Sequence, residues 1–105
     1  MRRGTTPTNT FSLDLDLSAA TVYISYAQNG KVVLEKTGDD LTFGTSESGD
    51  YTITVELSQE DTLAFVPGRA AIQIRYVMPD GTADASNIIG TTFEQIIKDG
   101  VIEYV

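Results

Sequence analysis

Four stretches of this chain place an apolar side chain at every second position: Phe11, Leu13, Leu15 and Leu17; Val22, Ile24 and Tyr26; Tyr51, Ile53, Val55 and Leu57; and Ile72, Ile74, Tyr76 and Met78. Successive strand residues point to opposite faces, so a period of two buries one face and wets the other, as in an antiparallel sheet covered on one side. The pattern predicts an all-β chain, a small antiparallel sandwich or barrel.

A length of 105 residues suits one domain with a single core. The sequence contains neither Cys nor His. The first absence removes disulfides, thiolate nucleophiles and sulfur-ligated metals; the second removes the usual general base and the commonest metal ligand, so an enzyme is not expected. Seven basic and fifteen acidic residues give a formal net charge of −8. Such a surface repels phosphate backbones and anionic lipid, so neither nucleic acid nor membrane is an expected partner, and solubility is the simplest consequence. Arg2 and Arg3 are followed by no apolar stretch, so no secretory signal is read and synthesis in the cytoplasm is expected.

Residues 1–9 are polar, include Pro7 and lack alternation. They read as a flexible N-terminal arm, mobile or ordered only against a neighbour, ahead of a single β-sandwich domain over residues 10–105. The first strand is expected over residues 10–17, with Ser12, Asp14 and Asp16 on its wet face, and the second over residues 21–28. Asn29-Gly30 between apolar runs is a hairpin signal, because a type I′ turn needs positive φ at both central residues. In the third strand, residues 31–37, Val32 and Leu34 share one face and Val33 takes the other, which leaves the inward face open. A short strand over residues 41–43, a polar loop over 44–50 and a strand over 51–57 follow, the last with Thr52, Thr54 and Glu56 outward. Ser58 and Asp61 have capping-box spacing and predict one helical turn anchored by Leu63 and Phe65. Pro67-Gly68 ends it, residues 70–78 form the sixth strand, and a seventh begins at Thr82 and ends near Phe93 or Gln95, with a bulge or bend at Gly90. Residues 92–105 fit two patterns, a helical stripe of Phe93, Ile96 and Ile97 or a terminal hairpin turning at Asp99-Gly100, of which the hairpin is favoured. About seven or eight short strands with turn signals roughly every 8 to 12 residues and one short helical turn match an immunoglobulin-like β-sandwich, without the Cys and Trp hallmarks of antibody domains.

No catalytic, cofactor-binding or metal residue is assigned from the sequence. Asp14 and Asp16 would lie roughly 7 Å apart on one strand face, and Asp39, Asp40, Glu47 and Asp50 form a loop cluster. Calcium wants about six to eight oxygens, and no EF-hand-like loop supplies the rest, so solvated carboxylates are the simpler reading of both. Glycoside hydrolysis needs a carboxyl with a raised pKa across a cleft, which exposed strand carboxylates would not provide. Tyr26, Tyr51 and Tyr76 fall on apolar faces and read as core, leaving Tyr23 and Tyr104, with Phe43, as candidates for stacking on a sugar. Arg69, Arg75 and Lys98 are scattered and form no basic patch.

Thr6-Pro7-Thr8-Asn9-Thr10-Phe11, residues 26–36, residues 55–65 with their Ser58-Gln59-Glu60-Asp61 turn, residues 72–75 and residues 85–89 resemble small proteins of phage and prophage structural modules in Gram-positive bacteria. The architecture is similar to the N-terminal immunoglobulin-like domain of phage upper baseplate proteins. The resemblance spans nearly the whole chain and rests on turns, the capped turn and strand faces. It implies a non-enzymatic tail or baseplate protein, localised to the virion, whose partners are other phage structural proteins, with homo-oligomers also compatible; no cofactor and no catalytic or binding residue carries over. Sheet edges can accept a strand from another chain, and residues 2–9 are the expected donor. The alternative expectation is a small adhesive module that binds carbohydrate or a host surface.

Overall fold

The most clearly marked turn has the geometry its residues demand. Asn29 and Gly30 take φ of 54° and 77°, in the left-handed region, and join β2 (Thr21–Gln28) to β3 (Lys31–Thr37). Around this hairpin the computed structural model, which describes residues 1–105, sets two antiparallel sheets face to face. The first sheet orders β1 (Thr8–Leu13), β5 (Tyr51–Glu56) and β4 (Leu41–Thr45), with β5 central. The second runs β3, β2, β6 (Gly68–Val77), and then β7 (Ala83–Ala85) and β8 (Ile89–Phe93), which pair with successive parts of the same side of β6. A short helix, α1 (Gln59–Leu63), connects β5 to β6 across the end of the sandwich.

That strand order is the immunoglobulin arrangement. There, chain-ordered strands B, E and D form one sheet and C, F and G the other, with an added C′ beside C in variable-type domains. β1-β5-β4 takes the places of B, E and D, and β3-β2-β6-β7 those of C′, C, F and G. No strand lies on the far side of β1.

The alternating residues make the core. Val22, Ile24 and Tyr26 of β2, Ile53 and Val55 of β5, and Ile72 and Ile74 of β6 are buried between the sheets, each contributing about 1.5–3 kcal/mol of burial. Phe65, just past α1, stacks on Phe93 with ring centroids 4.1 Å apart and meets the edge of Tyr26 at 6.4 Å. The capping box is formed in both directions: the Asp61 backbone N–H donates to Ser58 Oγ (3.0 Å), and the Ser58 N–H donates to Asp61 Oδ2 (2.9 Å).

Several expected boundaries move for physical reasons. β1 runs over Thr8–Leu13 rather than residues 10–17, because the chain bends at Asp14 and Leu15 and then turns where Asp16 Oδ1 accepts the Ser18 N–H (3.0 Å); Leu17 is buried while Leu15 is exposed. In β3, Tyr26 opposes Leu34 but Ala27 opposes Val32, so Val33 is an extra, bulged residue. The bulge reverses the alternation and explains why both faces of β3 read as apolar. The seventh strand is broken at Ser86, where the side chain enters the ladder: the Ile74 N–H donates to Ser86 Oγ (3.0 Å), and the Gln73 amide donates to the Ser86 carbonyl (3.0 Å). Gly90 lies inside β8, opposite Ala71. Residues 95–105 form neither the favoured hairpin nor a helix.

Candidate interaction surface

The expected carboxylate clusters dissolve into local turns. Asp14 and Asp16 lie past the end of β1 rather than on a strand face, and the backbone and hydroxyl of Ser18 hold the Asp16 carboxyl below its usual range. Asp40 Oδ2 accepts the Thr37 N–H (3.2 Å) at the turn before β4, while Asp50 takes part in a hydroxyl network with Ser46 and Ser48. Asp39 and Asp40 share an open polar pocket of about 340 Å³ with Lys36, Thr42, Thr54 and Glu56. Glu47 and Asp50 do not line it, and no three acidic side chains converge as metal ligands do.

The tyrosines divide differently from the expectation. Tyr26 is fully buried and donates its hydroxyl to Asn9 Oδ1 (2.7 Å); burial first, then the Asp61 charge, pushes its pKa upward. Tyr51 is the first residue of β5, opposite Leu13 and Thr45 at the ends of its neighbours, and is exposed rather than core; Tyr76 is half-buried. Tyr23 is exposed on the outer face of the second sheet, directly across from Arg75, and Phe43 is half-buried. Tyr104 is fully exposed.

α1 organises both ends of the chain. It is pinned to β3 by an ion pair between Lys36 Nζ and Asp61 Oδ2 at 2.9 Å, with both side chains more than four-fifths buried. Burial alone raises the Asp61 carboxyl, but the Ser58 hydrogen bonds and the Lys36 ammonium outweigh it and hold the group below its usual range. At the other end of α1, Arg3 donates to the carbonyls of Phe65 and Leu63, groups that a helix leaves without partners. The Thr5 carbonyl accepts the buried Thr62 hydroxyl (2.9 Å), and the Pro7 carbonyl accepts the Leu57 N–H (3.0 Å). Arg2 forms a parallel bridge with Glu94, and its guanidinium meets the Glu94 carboxylate at 2.6 Å. The segment expected as a flexible arm and strand donor is thus engaged by its own domain.

Residues 95–105 contrast with this. None makes a backbone-to-backbone hydrogen bond. Ile97, Tyr104 and Val105 are fully exposed, and Val101 and Ile102 about half. The one two-sided attachment is the Gln59 side chain, whose amide donates to the Ile102 carbonyl (3.0 Å) and whose oxygen accepts the Ile102 N–H (2.8 Å). Sequence reasoning missed this clamp, the Lys36–Asp61 pair and the Arg3 cap, because each joins residues far apart in the chain with no local pattern. The exposed apolar segment did carry a signal, its β-prone composition, which was read as pairing within the chain.

No family model matches the sequence, and no curated protein matches it. Among solved structures, the V domain of amphioxus IgVJ-C2 is similar, at 14% identity with a TM-score of 0.35, covering 91% of this chain and 97% of that one.

Proposed function

We propose that this chain is a non-enzymatic structural protein, a tail or baseplate component of a phage or prophage particle, that resides in the virion and acts through protein contacts. The observation that carries the contact reading is the set of exposed apolar side chains, Val101, Ile102, Tyr104 and Val105, in a sandwich with open sheet edges. Such a set is costly to leave in water and characteristic of surfaces that meet a partner. The particle reading rests on the resemblance of residues 6–11, 26–36, 55–65, 72–75 and 85–89 to phage structural modules. Mass spectrometry with cross-linking on particles induced from the source bacterium tests it. The expected result is presence in fixed stoichiometry with a cross-linked neighbour; absence from productive particles while the protein is abundant in the cell would overturn it.

The second reading, an adhesive module for carbohydrate, is favoured by one feature. Tyr23, Arg75 and Tyr76 line a shallow depression of about 190 Å³, an aromatic and a cation side by side on an exposed sheet face. Binding on a glycan array that Tyr23→Ala removes would support it; silence across a broad array would dismiss it.

A further inference from the structure

Arg69 and Arg75, which form no patch in the sequence, stand on one face of the fold. Both belong to β6, where Ala70, Ile72 and Ile74 turn into the core and the alternate residues Arg69, Ala71, Gln73 and Arg75 turn outward. An offset of six residues sets them about 20 Å apart along the strand. Arg2, Arg3 and Lys36 each meet a carboxylate, at Glu94, Asp99 and Asp61. Neither Arg69 nor Arg75 has such a partner, and both are exposed.

Each arginine has a depression of its own. Arg75 shares one with Tyr23, its partner across the β2–β6 ladder. Arg69 lines another, of about 490 Å³, with the small residues Ala27, Ala71 and Gly90 and the Asn29-Gly30 turn. A Cβ on Gly90 would stand 3.7 Å from Arg69 Nη2, so the guanidinium lies close beside this bare stretch of β8. Between the two depressions, Ser25 faces Gln73. No acidic side chain lines either one, although the chain carries a net charge of −8; Glu35 of β3 and Asp84 of β7 flank the row and lie outside both.

The construction of the face selects the kind of anion. β2 pairs with β3 and β6, and β6 pairs with β2 on one side and with β7 and β8 on the other, so their backbone groups are engaged in ladders. A peptide laid across them would leave its own N–H and C=O groups without strand partners, because strand addition needs an edge. A sugar chain has no such requirement: its hydroxyls bond side chains and water, and a ring can rest on the exposed Tyr23. A planar guanidinium takes a carboxylate through two parallel hydrogen bonds.

We propose that the outer face of β2 and β6 binds an acidic polysaccharide, with carboxylates of separate sugar rings held by Arg75, beside Tyr23, and by Arg69, beside Ala27, Ala71 and Gly90. This rests on the carbohydrate reading above and deepens it: the ligand class is a polyuronate rather than a neutral glycan, and the site extends over two depressions instead of one.

The test is calorimetric titration of the full chain, at low salt, with polygalacturonate and with its full methyl ester, which keeps the rings and removes the charge. The acid is expected to bind and the ester to be silent. Arg69→Gln and Arg75→Gln, each folded by circular dichroism, are expected to weaken binding roughly tenfold or more, the loss that follows removal of a charge-assisted hydrogen bond. Lys98→Gln, which removes a cation that lines neither depression, is expected to leave binding unchanged. A two-ring fragment, too short to reach both arginines, is expected to depend on one of them at most. Failure of the acid to bind, equal binding of acid and ester, binding that survives both substitutions, or polyglutamate binding as tightly as polygalacturonate would overturn the proposal. Binding of the ester alone, removed by Tyr23→Ala, would overturn it and leave the carbohydrate reading standing; silence with both polymers and across a broad glycan array would dismiss the two together.

Discussion

Residues 1–7 and residues 95–105 meet the same body with opposite chemistry. The first group is polar and has no strand periodicity, yet it is tied down by the Arg3 contacts to α1, the Thr5 and Pro7 carbonyls and the Glu94 bridge. The second is rich in Ile, Val and Tyr, yet beyond Ile96 it is largely exposed and is held only by Gln59 at Ile102 and by a 3.4 Å contact between Arg3 and Asp99. What decides the outcome is the supply of unsatisfied partners rather than hydropathy. The body offers carbonyls at the end of α1 and the outer edge of β8, and a buried Thr62 hydroxyl, all of which polar chain can satisfy. Phe93, stacked on Phe65, is the last residue of the chain to enter the core.

The contrast can be broken or sharpened by substitution. Phe93 is the last buried residue of the chain, and Phe93→Ala removes the ring stacked on Phe65, so urea denaturation should show a loss of about 3–5 kcal/mol. Arg3→Ala strips α1 of charge-assisted hydrogen bonds at a site where the side chain is 16% exposed, and should cost about 2–3 kcal/mol by the same measurement; a loss under roughly 0.5 kcal/mol would mean that the N-terminal segment is an accessory after all. Asp61→Asn should lower the urea midpoint at neutral pH by a smaller amount. The folded carboxyl is held below its unfolded value of 3.8, so its contribution is present above that pH and is lost as pH falls through the lower, folded value. The gap between parent and variant should therefore close in acid below about pH 3.8, and a gap that stayed constant would remove the ion pair from the account. Smallest of all, Tyr104→Ser should change monomer stability by no more than about 0.5 kcal/mol, since the side chain touches nothing in its own domain.

How much of this was legible beforehand follows from which interactions are local. The strand faces of residues 22–26, 53–57 and 72–74, the Asn29-Gly30 turn and the Ser58–Asp61 capping box all depend on neighbours within a few residues, and all appear as read. The inward face of β3 was hidden because a bulge is a property of two strands, here of Val33 against β2. The break at Ser86 was hidden because one hydroxyl replaces a backbone group in the ladder, which leaves no trace in the alternation of residues 82–93. Asp14 and Asp16 continued the period of two past the real end of β1, so the period itself was misleading there. Of the candidate surface, the exposure of Tyr23 and Tyr104 was legible, and the exposure of Tyr51 was not, because it depends on where the sandwich ends.

The most direct test of the account is amide hydrogen exchange on the full chain. The account predicts that Arg3, Leu57 and Glu94 are protected, as donors of the bonds that hold the N-terminal segment, while residues 103–105 exchange freely. Free exchange at Arg3 and Glu94 in a folded chain would contradict it.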